Sequence, residues 1–74
     1  MDQLPAGHTL IARAIEVAEK RLGMEEVALL LKAPIETVRA WRDRHATMPQ
    51  RKFLLLVDVL AEIEPTWTDW DGAR

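Results

Sequence analysis

Cysteine is absent from this 74-residue chain, and its two histidines, His8 and His45, stand far apart. Without thiols there is no disulfide framework, and without a Cys/His cluster there is no zinc site. A reducing, cytoplasmic setting is therefore expected. No apolar run approaches the roughly 20 residues needed to span a bilayer. The opening MDQLPAGHTL lacks the basic flank and apolar stretch of a secretory leader, so a soluble, unprocessed chain with no membrane partner is expected. Glycine-rich phosphate loops, internal repeats and strand-like alternation of polar and apolar residues are also missing. Catalytic arrangements are equally scarce. Glu25 with Glu26, and Asp58 with Glu62, are ordinary solvated helix pairs, there is no thiol nucleophile, and neither histidine has an evident orienting acid. The expectation is a non-enzyme with no cofactor and no metal.

What is present is a small amount of chain with a lopsided charge. A domain of this size buries only about 60% of the surface its unfolded form exposes, so each large apolar side chain carries weight. The net charge is −2. Residues 32–52 nevertheless hold six basic side chains (Lys32, Arg39, Arg42, Arg44, Arg51, Lys52) against Glu36 and Asp43, a local +4, while the remainder holds four basic and ten acidic residues. Such a block can present a cationic face to a polyanion while the acidic remainder keeps the protein dissolved. A solvated cationic surface with no ligand is the alternative reading of the same residues.

The apolar spacing marks four helices and an all-α class. In TLIARAIEVAEKRL, residues 9–22, the positions Ile11, Ala14, Ile15, Ala18 and Leu22 recur at helical spacing, with Thr9 as the expected N-cap and Gly23 just past the end. A second helix over about 24–32 opens on Glu25 and Glu26, which suit the positive end of a helix dipole, and turns Val27, Ala28 and Leu31 inward. Pro34 interrupts the stretch EVALLLKAPIETVRAW, because an interior proline removes a donor and clashes with the preceding turn at a cost of roughly 3 kcal/mol. At the first position of a third helix, 34–44, the same residue is well placed. Val38 and Trp41 form that helix's inner face. HATMPQ breaks the pattern again, and a fourth helix over 49–64 carries one stripe of Phe53, Leu56, Val57 and Leu60 and a second of Leu55, Val59 and Ile63. Pro65 ends it. The tail TWTDWDGAR shows no periodicity. The expected organisation is one domain over residues 1–74, with its core at about 9–64 and a tail at 65–74.

Two helices of about eight to ten residues joined by a few residues cross steeply and need outside helices to bury their shared side. That geometry lets the second short helix stand clear enough to enter a major groove about 12 Å wide. EVALLLKAPIETVRAW resembles the helix-turn-helix of the phage repressor and Cro class, the xenobiotic-response-element family, over roughly residues 10–63. Ala28 matches the small residue where the helices cross, Leu31 and Ala33 the apolar positions flanking the turn, and Val38 the buried position of the recognition helix. The family commonly has glycine in the left-handed turn; here the residue is Lys32, which would bear a cost of about 1 kcal/mol there. Met24 stands where a glutamine often contacts a phosphate.

The resemblance implies a four- or five-helix, repressor-like bundle that binds double-stranded DNA, as a bacterial or phage-type transcriptional regulator and a homodimer. It implies base-reading positions at Ile35, Glu36, Arg39, Ala40 and Asp43, with Arg39 the best suited because a guanidinium can donate a bidentate pair to guanine O6 and N7. An ion pair between Arg39 and Asp43 is the competing role. Phosphate contacts are expected from Thr37, Arg42, Arg44, His45, Arg51 and Lys52. The alternative function is the same scaffold serving as a protein-interaction module through helix 4 and the tryptophan tail.

Overall fold

A computed structural model describes residues 6–68, all helix, turn and coil. Four helices follow one another: α1 (Ala6–Leu22), α2 (Met24–Leu31), α3 (Ile35–Arg42) and α4 (Gln50–Ile63). α1 starts three residues earlier than the expected Thr9 cap, so Thr9 lies inside the helix. Lys20 and Arg21 sit in its last turn, where cations offset the negative end of the dipole. Gly23 then separates α1 from α2 with φ 91° and ψ 149°, a conformation essentially confined to glycine. It is both the residue after α1 and the N-cap of α2, which is why the two helices change direction across a single residue.

Both interior prolines act as N-caps rather than first helical residues. Pro34 (φ −64°, ψ 151°) precedes α3 and Pro49 (φ −62°, ψ 141°) precedes α4. Their fixed φ suits the position, and their carbonyls accept the first helical bonds, from Val38 N–H at 3.1 Å and from Phe53 N–H at 3.0 Å. α3 ends two residues before the expected Arg44, because Arg44 turns to φ 69° and closes the helix with a bond from His45 N–H to the Ala40 carbonyl at 2.8 Å.

α1 is the hub. It packs against each of the other helices, α2 touches α3 and α4, and no Cα of α3 comes within 8 Å of one of α4. The core gathers Ala14, Ile15 and Ala18 from α1, Val27, Ala28 and Leu31 from α2, Val38 and Trp41 from α3, and Leu56 and Leu60 from α4. Each large member contributes about 1.5–3 kcal/mol by leaving water. No polar or charged side chain is buried among the described residues.

Two further core residues, Met48 and Trp67, come from segments without helical periodicity. Trp67 is only 6% exposed. After α4 the chain turns, Trp67 N–H bonding to the Glu64 carbonyl at 3.0 Å, and Arg21 at the end of α1 holds that corner through Glu64 at 3.6 Å. Trp67 thus docks inward, and Ile63 packs against the core beside it. This revises the second stripe of α4: Val59 is half-buried and only Leu55 of that set is exposed. Trp70 lies outside the described residues. No helix among them is long and apolar enough to cross a membrane.

Candidate nucleic-acid interface

The turn between α2 and α3 decides where α3 points. Lys32 adopts φ 54° and ψ 49°, the left-handed conformation expected of it despite its Cβ. Its N–H bonds to the Leu29 carbonyl at 3.2 Å, and the Ala33 N–H reaches back to Ala28 at 3.1 Å. This pair of bonds is a Schellman closure, which satisfies carbonyls that a helix end leaves without partners. A third such carbonyl, Leu31, accepts from the Lys52 ammonium of α4 at 2.7 Å. The turn is therefore bolted to α4 as well as closed on itself. Extended Pro34 follows and starts α3.

On α3, Val38 and Trp41 face the core, so Glu36, Arg39 and Asp43 face solvent, with Ile35, Thr37 and Ala40 half-buried at the flanks. Ile35 also packs against the core from outside. Arg39 makes no hydrogen bond or ion pair within the described residues, leaving its guanidinium free to donate. No hydrogen bond or close ion pair joins it to Asp43, whose carboxylate Arg42 takes; Arg39 acts on that carboxylate only through its charge. Arg42 Nε donates to Asp43 Oδ1 at 3.0 Å and its Nη1 donates to Glu19 Oε1 on α1 at 2.9 Å. The hydrogen bond from Arg42 holds the Asp43 carboxyl below its ordinary value of 3.8, and the same bond raises the guanidinium, partial burial opposing each shift.

The expected site residues therefore separate into two groups. Arg39, Glu36 and the flanking Ile35, Thr37 and Ala40 share the outer side of α3, with Arg44 and His45 exposed just past its end. Arg42 and Asp43 are occupied with each other and with Glu19, so Arg42 is a strut between α3 and α1 rather than a free cation. Lys52 caps α2. Arg51 is exposed and lines a shallow groove with Lys32 of the inter-helix turn and Leu54, Leu55 and Asp58 of α4.

One feature of this surface, the exposure of Leu29, had no counterpart in the sequence reading. Leu29 is 72% exposed. Together with Met24, Glu25, Glu26 and Ile35, it lines a depression that Arg39 borders. The exposed Lys32 adds a charge at the turn, close to the start of α3. Against known proteins the chain finds no counterpart: no family model, no curated protein and no solved structure matches it.

Proposed function

We propose that the protein binds double-stranded DNA in a sequence-dependent manner, with α2 and α3 as a helix-turn-helix and α3 lying in the major groove, as a transcriptional regulator would. The observation that carries this reading is the left-handed, doubly bonded turn at Lys32. It fixes α3 across α2 with Val38 and Trp41 inward and an unpaired Arg39 outward. An eight-residue helix held by one face and bare on the other is the shape that reads base edges.

The roles follow from side-chain chemistry. Arg39 donates to O6 and N7 of a guanine, Ile35 and Ala40 offer apolar contact to thymine methyl groups, and Glu36 accepts from a cytosine amine. Thr37, Lys32, Arg44 and His45 approach phosphates and set the register without specifying sequence. Fewer cations are free than the sequence count suggests, because Arg42 and Lys52 are engaged within the fold. Binding is accordingly modest in affinity for one protomer, and two copies acting on paired half-sites strengthen it.

Selection from a random duplex pool, followed by titration at several salt concentrations, tests this proposal. The selected pool should converge on a short motif containing a guanine. Its affinity should fall with a log-log salt slope of about −0.9 per neutralised phosphate, hence about −2 per protomer if Lys32 and Arg44 each meet one. A pool that never converges would remove the sequence-reading role.

A second reading, protein interaction on the same scaffold, is favoured by the depression around Leu29. An apolar residue this exposed, rimmed by Glu25 and Glu26, suits a protein surface better than a phosphate backbone. Failure of every duplex to bind would make it the leading account. The buried position of Trp67 withdraws that residue from any such contact.

A further inference from the structure

The outer face of α4 has a charge pattern that is its own complement. Its exposed residues are Gln50, Arg51, Leu54, Leu55, Asp58, Ala61 and Glu62, the spacing of one side of a helix. Leu54 is 54% and Leu55 39% exposed, so two adjacent leucines occupy the middle of this face. Arg51 lies on the N-terminal side of them and Asp58 on the C-terminal side, and neither forms an ion pair among the described residues. With a rise of about 1.5 Å per residue, each charge stands about 5 Å from the midpoint between Leu54 and Leu55.

We infer that this face binds a second copy of the same chain, with the two α4 helices antiparallel across a twofold axis at Leu54 and Leu55. The charge order selects both occupant and orientation. A twofold axis through that midpoint brings Arg51 level with Asp58 of the second copy, and Asp58 level with its Arg51, while the leucines meet at the centre. Parallel pairing would set arginine against arginine and aspartate against aspartate, which opposes association. Lys32 borders the same groove and adds a cation beside the acidic half of the incoming helix. The contact is isologous and closes at two chains.

This surface differs from the stripe that the sequence alone suggested. Val59 is half-buried, Ile63 packs against the core and Trp67 is part of it, so Leu55 remains exposed and Leu54 joins it. One face of a 14-residue helix is small for an interface, below about 1,200 Å² in total, so the dimer is weak and concentration-dependent. The inference does not depend on DNA binding, and its test contains no DNA.

Sedimentation equilibrium of the full chain from about 10 μM to 1 mM reads the association directly, a span that brackets weak transient contacts. The expected result is a mean mass that climbs from monomer toward dimer. Arg51→Asp and Asp58→Arg, each placing like charges together twice, should raise the dissociation constant about tenfold or more. The double variant Arg51→Asp with Asp58→Arg rebuilds both pairs in reverse and should bring the constant back near the wild-type value. Leu54→Glu should abolish the dimer, while thermal unfolding confirms that a substitution at this exposed position leaves the fold intact. A wild-type chain that stays monomeric at about 1 mM would overturn the inference. So would a double variant no tighter than the single ones, or a dimer indifferent to Leu54→Glu.

Discussion

Replacing Lys32 with glycine should make the protein more stable, although it deletes a side chain. Lys32 sits at φ 54° and ψ 49°, where the Cβ of an L-residue crowds the following carbonyl at a cost of about 1–2 kcal/mol. Glycine removes that cost but enlarges the freedom of the unfolded chain, which returns about 0.4–1 kcal/mol. Taking the middle of both ranges, the net gain is about 0.5–1 kcal/mol, since the exposed Lys32 ammonium has no hydrogen bond or ion pair within the described residues to lose. The backbone bonds to Leu29 and Ala28 do not involve the side chain and persist. Urea unfolding should show a higher midpoint at unchanged slope, and the melting temperature should rise by about 2–8 °C for a domain of this size. Lys32→Ala is the control. It removes the ammonium and keeps the Cβ, so it should give no comparable gain. An unchanged or lower midpoint for Lys32→Gly, or an equal gain for Lys32→Ala, would refute the left-handed turn as the source of strain.

Trp67→Ala should lower stability by about 3 kcal/mol in the same assay, the cost of emptying a large core position; a change below about 0.5 kcal/mol, typical of a surface site, would mean that the turn after α4 does not dock. Asp43 should titrate below its ordinary 3.8 by carboxyl-carbon NMR, and Arg42→Gln should move it up toward that value. A depressed carboxylate contributes stability that is present above its unfolded pKa and lost as the pH falls through the folded one. The Arg42 contact should therefore weaken only in acid, below about pH 4. Titration of Asp43 at or above 3.8 in the unsubstituted protein would contradict the Arg42 contact.

Much of this fold is legible in the sequence because its signals are local. Helical spacing places Val27, Ala28, Leu31, Val38 and Trp41 inward, and the prolines mark the starts of α3 and α4 within a residue. The left-handed state of Lys32 was legible for a different reason, the alignment of this stretch with a motif that has glycine there. What escaped is tertiary. The Arg42 partner Glu19 is 23 residues distant and on another helix, so a charge counted as free is engaged. Lys52 reaches the Leu31 carbonyl along a flexible stem that no spacing rule anticipates. Trp67 belongs to a segment with no periodicity, and it reaches the core through the turn after α4, where its N–H bonds to the Glu64 carbonyl. The positive φ of Arg44, which shortens α3, has no marker in the residue type itself. These contacts subtract from the candidate site more than from the fold: Arg42, Asp43 and Lys52 are engaged within the fold, while Arg39, Arg44 and His45 stay exposed.

The central claim, that α3 reads base edges through Arg39, is tested most directly by comparing two arginines on the same duplexes. Once a preferred site has been selected, fluorescence anisotropy on that site and on its single-base variants is measured for Arg39→Ala and Arg44→Ala. Arg39→Ala should cost about 1–3 kcal/mol on the preferred site and erase discrimination at one base pair. Arg44→Ala should weaken all duplexes alike and reduce the salt slope by about 1. Indistinguishable losses for the two variants across every sequence would contradict the claim, as would the absence of any duplex binding tighter than about 10⁻⁴ M.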